Sequence, residues 1–286
     1  MELFLDLLRS VVYGVIEGIT EWLPISSTGH MILAEQVLKF SLSAEFMEMF
    51  RVVIQLGAIM AVVVLYFKKL WPFCGDNGRD SGLAKHIRWP VLRLWLKIIV
   101  ACLPAAVLGL LLDDWMDAHF YNSVVVAVML IVYGIAFILI ERRPRVPTTT
   151  KLSRITYKQA IIVGVWQVLA LIPGTSRSGA TIIGGLLCGM SRACASQFTF
   201  FLAIPVMAGA SGLKLVKFLV GGGVFTVAEV GALLVGCIVA FVVSIMAIRF
   251  LMDYVKKHTF TIFGWYRIAL GILVLGIWAL QSFVLA

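Results

Sequence analysis

Charge is what this chain has least of. Lys, Arg, Asp and Glu make up 14% of its 286 residues, against about 25% in an ordinary soluble domain. With 61% hydrophobic residues and a mean hydropathy of +1.01, a soluble fold is excluded and an integral membrane protein remains. Cysteine is sparse too. Cys74, Cys102, Cys188, Cys194 and Cys237 show no CxxC pair and no histidine at metal spacing, so a thiolate metal centre is excluded and they read as small packing residues. Apolar-polar alternation is lacking, which excludes a transmembrane β-barrel. The N-terminus, MELFLDLLRSVVYGV, has Glu2 and Asp6 before its apolar run and no small-residue cleavage site, and it reads as mature sequence. The net charge of +9 is taken first as a topology signal, because basic residues mark cytoplasmic loops in such a chain. No nucleic-acid partner is expected.

What is present is a series of apolar stretches close to the ~20 residues that a crossing helix needs, among them Val52 to Phe67, Val124 to Ile140, Val230 to Ile248 and Phe260 to Ala279. One connection carries Lys68, Lys69, Arg79, Lys85, Arg88, Arg93 and Lys97 against Asp76 and Asp80. Another, from Glu141 to Lys158, carries Arg142, Arg143, Arg145, Lys151, Arg154 and Lys158. Both are expected in the cytoplasm. Asp113, Asp114 and Asp117 then mark a connection on the opposite face, and Lys214 with Lys217 are exceptions to the rule. Crossings are expected near 50–67, 91–112, 122–140, 196–216, 226–250 and 261–284. Segments 8–39 and 158–190 are instead pairs of short apolar pieces, split by Pro24 with a Ser/Thr run and by PGTSRSG. Each fits a helix-turn-helix that enters the bilayer and returns to the same side.

The fold class expected is therefore an all-α integral membrane protein: six transmembrane helices plus two re-entrant helix-turn-helix hairpins in an inverted-topology repeat. The single membrane domain, 1–286, divides into a first repeat over 1–141 (hairpin 8–39 and three spans) and a second over 158–286 (hairpin 158–190 and three spans). GVIEGITEWLPISSTG at 14–29 resembles GVWQVLALIPGTSRSG at 164–179, pairing Gly14 with Gly164, Val15 with Val165, Glu17 with Gln167 and, after a one-residue offset, Pro24 with Pro173. FRVVIQLGAIMA at 50 loosely echoes FTFFLAIPVMAG at 198. Inverted repeats with interrupted helices build midplane sites in secondary transporters, so the two polar turns are expected to meet inside the membrane.

Their chemistry is that of an anion site. Glu17 and Glu21 are four apart and share a helix face, and ionisable groups at such depth are costly and usually functional. Ser26, Ser27 and Thr28 stand where the next half-helix begins, where hydroxyls and free backbone N–H groups receive anions; His30 lies one turn on. The second turn offers Thr175, Ser176, Arg177 and Ser178, with Thr181 on the first turn of the following helix. Arg177 is the one basic residue placed near the midplane, and its planar guanidinium suits bidentate capture of a phosphate. Carboxylates repel a phosphate unless a divalent cation lies between them, so Glu17 and Glu21 are the expected ligands of Mg²⁺ or Ca²⁺. Ser27 is the candidate nucleophile, with a metal-bound water as the alternative. His30 or Glu21 would manage its proton, and Arg177 would stabilise charge on the transferring group. Ser26, Thr28, Ser176, Ser178 and Thr181 are the candidate substrate-binding hydroxyls.

Plainer readings compete. Membrane-helix Ser and Thr often only bond backbone or a neighbouring helix. His86, His119 and His258 sit beside charged loop residues and read as surface, and Trp71, Trp89, Trp115 and Trp265 read as interfacial belts. Gln55 and Arg51 either approach the site or face headgroups.

EGITEWLPISSTGH and PGTSRSGAT strongly resemble the undecaprenyl-diphosphate phosphatase family linked to bacitracin resistance, and the resemblance runs over nearly the whole chain, VVIQLGAI at 52–59 included. The family's acidic motif matches Glu17 and Glu21, its Ser-Ser-Thr-Gly-His matches Ser26 to His30, and its Pro-Gly-x-Ser-Arg-Ser-x-x-Thr matches Pro173 through Thr181. The resemblance implies an inner-membrane enzyme that hydrolyses undecaprenyl diphosphate to the monophosphate and inorganic phosphate, needs a divalent metal, recycles the lipid carrier for peptidoglycan and opens to the periplasmic side. Its partners would be the polyprenyl diphosphate and membrane lipids, with a homodimer left open. The rival readings are a transporter or flippase of a phosphorylated polyprenyl lipid and a non-catalytic lipid-binding protein. A carrier has little use for Glu21 beside Ser27.

Overall fold

The structure is a computed structural model that describes residues 2–75, 86–120, 122–143 and 146–284. Asp76, Arg79, Asp80, Lys85 and Arg145, all part of the charge argument, lie outside the described residues. The described chain is helical, with no strand and two isolated bridges, Phe73 to Ile87 and Thr149 to Met190. In order come α1 (Glu2–Thr20), α2 (Ser27–Val37), α3 (Ala44–Val53), α4 (Gln55–Leu70), α5 (Trp89–Phe120), α6 (Ser123–Glu141), α7 (Tyr157–Val168), α8 (Arg177–Leu187), α9 (Arg192–Val220), α10 (Val227–Lys257) and α11 (Thr261–Val284).

Six segments of the described residues are long and apolar enough to cross a membrane: Ala44–Leu70, Trp89–Leu112, Ser123–Glu141, Arg192–Val220, Val227–Lys257 and Thr261–Ser282. These are the six expected crossings, with moved boundaries. The first starts at Ala44 rather than 50, because α3 and α4 run on through a break at Ile54. The acidic stretch expected as a connection is instead the last turns of α5, since Asp113, Asp114 and Asp117 lie inside that helix.

The two shorter helix pairs also form, again with shifted limits. Expected to start at residue 8, α1 already begins at Glu2, because buried Asp6 is tied down by Arg9 at 2.7 Å and by the backbone N–H and hydroxyl of Ser41 beyond α2. That contact brings the start of α1 and the end of α2 together. Likewise Gln159, on the first turn of α7, donates to the Cys188 carbonyl at the end of α8 (3.0 Å). The hairpins open at opposite ends of α10. Next to the first, Ser43 donates to Glu229 at the start of α10 (3.0 Å). Next to the second, Arg192 donates to Glu141 (2.5 Å), which also accepts the N–H of Phe260, just past the end of α10 (3.1 Å).

Glycine lets backbones close up at these crossings. A Cβ on Gly14 of α1 would lie 2.7 Å from the Gly236 carbonyl of α10, and one on Gly164 of α7 would collide with the Ala101 carbonyl of α5. The first helix of each pair thus packs tightly along a long helix, α1 along α10 and α7 along α5. Between these pairs α6 lies along α11. A core of Trp22, Phe137, Phe198, Phe200, Phe201 and Phe260 fills the space among them.

Candidate active site

Both hairpins turn in the same unusual way. Ser26 and Ser176 have φ of 74° and 70° and are the only described residues other than glycine with positive φ, a conformation that costs on the order of 1–3 kcal/mol each. Each caps the helix that follows. The Ser26 hydroxyl accepts from Gly29 N–H (3.4 Å) and the Ser176 hydroxyl from Gly179 N–H (3.2 Å). With this register Ser26, Ser27 and Gly29 stand opposite Ser176, Arg177 and Gly179, the same numerical spacing as Gly14 and Gly164. The one-residue offset is thus confined to the proline.

The turns touch. Ser178 Oγ donates to the Leu23 carbonyl (3.4 Å). Arg177 reaches across, its Nη2 and Nε donating to Glu21 Oε1 at 3.0 and 3.2 Å, while Nη1 donates to the Thr199 carbonyl at 3.1 Å. Glu21 Oε2 accepts from Ser27 Oγ at 3.3 Å. One carboxylate therefore links the serine of the first turn to the arginine of the second, and the side chains of Arg177 and Glu21 are only 11% and 8% exposed. This chain borders a cavity of about 170 Å³ lined by Glu21, Ser27, Thr28, Gln55, Ser176 and Arg177, with Pro173, Val206 and Met207 among its apolar walls. A phosphate-sized anion would find the arginine fork and hydroxyls from both turns there.

Not every expected residue reaches this cavity. Thr181 gives its hydroxyl to the Arg177 carbonyl (2.9 Å) and accepts from Thr199 (2.9 Å). Ser26 and Ser178 are buried in cap and turn contacts. His30 spends both ring nitrogens, Nδ1 on the Ser26 carbonyl and Nε2 on the Tyr266 hydroxyl, each at 2.7 Å. A carbonyl only accepts, so Nδ1 carries the proton and Nε2 accepts from the tyrosine. The imidazole therefore braces the strained Ser26 and makes no hydrogen bond to Ser27.

Glu17 is wholly buried one turn before Glu21, and neither of its carboxylate oxygens has a hydrogen-bond partner. Gln167, which the sequence comparison pairs with Glu17, is likewise buried with both amide atoms unpartnered. Glu17 does not itself line the cavity, but its carboxylate, one helical turn from Glu21, offers oxygen donors of the kind that suit a hard divalent cation. Among the described residues no three His, Cys, Asp or Glu side chains converge as a metal cage.

A second buried arginine corrects the expectation that Arg177 is alone at this depth. Arg267, on α11, has no exposed surface. It donates to the carbonyls of Gly174 and Thr175 (both 2.9 Å) in the second turn, Pro24 (3.3 Å) in the first, and Met129 and Leu130 (both 3.4 Å) on α6. Its guanidinium also lies 5.5 Å from the centre of the Tyr133 ring. Among the described residues carbonyl dipoles rather than a counter-ion compensate this charge, and these bonds fasten the two turns to each other. Its position inside the apolar stretch from Phe260 was the available signal. Gln55, left undecided from sequence, lines the cavity, whereas Arg51 pairs with Glu35.

The bacitracin resistance protein BacA family matches over residues 10–273. An undecaprenyl-diphosphatase of Enterococcus faecalis (strain ATCC 700802 / V583) is 59% identical over 278 residues, covering 96% of this chain and 99% of that protein. Proteins of the same name from Desulfitobacterium hafniense (strain DSM 10664 / DCB-2) and Lactococcus lactis subsp. lactis (strain IL1403) are 57% and 56% identical, covering 94% and 95% of this chain and 95% and 96% of theirs.

Proposed function

The chain belongs to the BacA family of bacitracin resistance proteins, and from that premise we propose that it hydrolyses undecaprenyl diphosphate to undecaprenyl phosphate and inorganic phosphate, in a cavity formed where two hairpin turns meet. The observation that carries this reading is the run Ser27–Glu21–Arg177 across the two turns. A carrier needs the arginine; it has no use for a serine held on a carboxylate.

We infer that both hairpins are re-entrant and that the two halves form an inverted repeat. Supporting this, the pairing of α1 with α10 becomes that of α7 with α5 when the halves are exchanged, α6 with α11 maps onto itself, and Ser26 and Ser176 share one strained geometry. Access from the periplasmic side is favoured because Gln55, Val206 and Met207 line the cavity. Gln55 lies in the half of Ala44–Leu70 remote from Lys68 and Lys69, Val206 is the middle residue of α9, and Met207, with Ala210 also on the lining, lies in the half remote from Arg192.

In the proposed mechanism the diphosphate head enters this cavity with its prenyl tail in lipid. Arg177 turns its fork from Glu21 to the terminal phosphate, and Thr28 and Ser176 donate to phosphate oxygens. Glu21 is then free to act as the base. It takes the Ser27 proton as Oγ attacks the terminal phosphorus, the bridging P–O bond breaks and undecaprenyl phosphate departs. Glu21 passes that proton to the departing undecaprenyl phosphate; it then takes a proton from a water that attacks the phosphoserine phosphorus and returns it to Ser27 Oγ as the P–Oγ bond breaks and inorganic phosphate is freed. Glu17 and Glu21 would hold the divalent cation, which when bound supplies neutralising charge beside the phosphates.

The test is phosphate release from a polyprenyl diphosphate by the purified protein. Glu21→Gln, Ser27→Ala and Arg177→Ala are each expected to lower the rate at least about a hundredfold, as removal of a primary catalytic group does. Activity surviving all three single changes would overturn the assignment and favour transport.

A further inference from the structure

A second cavity shares no lining residue with the catalytic one. It is a groove of about 460 Å³ where α4 and α10 end and α5 and α9 begin. Lys69, Arg88, Lys151 and Lys256 stand around it, and among the described residues its lining contains no carboxylate. The floor is apolar, with Val91, Leu94, Cys194 and Met252 buried beneath the rim. The cations differ in their ties. Arg88 donates to the carbonyls of Lys68 and Trp71, Lys256 pairs with exposed Asp253, and Lys69 lies over the Tyr66 ring. Lys151 is exposed on the loop after α6.

The depth of the groove follows from its neighbours. Trp71, two residues after Lys69, and Trp89, next to Arg88, are both exposed, and exposed tryptophans at helix ends of a membrane protein sit at headgroup level. A cationic rim at that level above an apolar floor matches a lipid that presents a phosphate at the interface and a hydrocarbon chain below it. Basic pockets between crossing helices take such headgroups. An inorganic phosphate would have no use for the floor.

We propose that this groove is a binding site for an anionic lipid, which places its phosphate among Lys69, Arg88, Lys151 and Lys256 and its chain against Val91, Leu94 and Met252. The site rests on the chain spanning the membrane and is independent of the catalytic assignment.

Native mass spectrometry of the full-length protein, loaded with phosphatidylglycerol or phosphatidylcholine, tests it. The triple variant Lys69→Gln/Lys151→Gln/Lys256→Gln spares Arg88, whose backbone bonds hold the end of α4. Each cation near an anionic surface contributes about fivefold, so the triple change is expected to weaken phosphatidylglycerol retention at least about tenfold, with phosphate release kept within about twofold. A control triple on the same face but outside the groove, Arg142→Gln/Lys158→Gln/Lys257→Gln, is expected to retain the lipid. Equal losses in both triples would reduce the effect to diffuse surface charge and overturn the proposal. So would unchanged retention in the groove variant, equal retention of phosphatidylcholine, or displacement of the lipid by millimolar inorganic phosphate.

Discussion

Two arginines lie within reach of the same two turns, and their partners separate their roles. Arg177 holds a carboxylate and faces the cavity, while Arg267 holds carbonyls and has no opening to it. Arg177→Lys keeps the charge but loses the planar fork, so phosphate release is expected to fall at least about tenfold through kcat. Arg267→Lys cannot span carbonyls of both turns and α6, and Arg267→Met takes away the donor shared by the turn carbonyls of Pro24, Gly174 and Thr175, at about 1–3 kcal/mol for each buried group left unpaired. The melting temperature of both Arg267 variants is expected to drop, that of Arg267→Met further, and equal melting of both variants and the parent would contradict the clamp. Thr181→Val is the complementary case. Its hydroxyl is spent on helix backbone and Thr199, so activity within about threefold of the parent is expected in the same assay, unlike the collapse predicted for Ser27→Ala. Glu17→Gln, which removes charge from the orphaned carboxylate, is expected to raise the Mg²⁺ concentration needed for half-maximal phosphate release, a shift readable in a metal titration after chelation.

At the level of helices, what was legible in sequence and what was not divide along physical lines. Long apolar runs declare crossings, and polar breaks at Pro24 and Pro173 declare turns, because the bilayer tolerates neither short apolar pieces nor loose polar backbone without compensation. Boundaries were harder. Asp6 looks like a reason to begin α1 later, but its partner Ser41 lies 35 positions away in the chain and no local pattern reveals it. The acids of α5 look like a loop and are helix, because acidity marks a side of the membrane and not a break in hydrogen bonding. Arg267 was overlooked for a related reason, since its partners are carbonyls from three other segments and carbonyls have no sequence signature. The packing of α1 on α10 supplies the prediction for this scale. Gly14→Leu must displace the Gly236 carbonyl, and thermal unfolding in detergent is expected several degrees below the parent. Gly276→Leu, where the added carbon meets nothing within 4 Å, is expected to melt as the parent does.

Across the whole molecule, the two halves contribute unlike chemistry to matching positions. Where the first turn has Ser27 the second has Arg177, and where the first helix has Glu17 the second has Gln167. In the proposed inverted repeat the two turns supply a symmetrical frame, and the unlike residues at those positions would put the proposed nucleophile and base on one side and the proposed phosphate clamp on the other. Such a site exists only if the turns meet inside the membrane. Cysteines at Leu23 and Ser178, whose carbonyl and hydroxyl are 3.4 Å apart, report that contact most directly. In a chain with Cys74, Cys102, Cys188, Cys194 and Cys237 replaced, a short bis-thiol cross-linker in native membranes is expected to join Leu23→Cys to Ser178→Cys, detected as a link between the two fragments after proteolysis in the connection following α6. Failure to join under conditions that link a control pair within one hairpin would contradict a shared cavity.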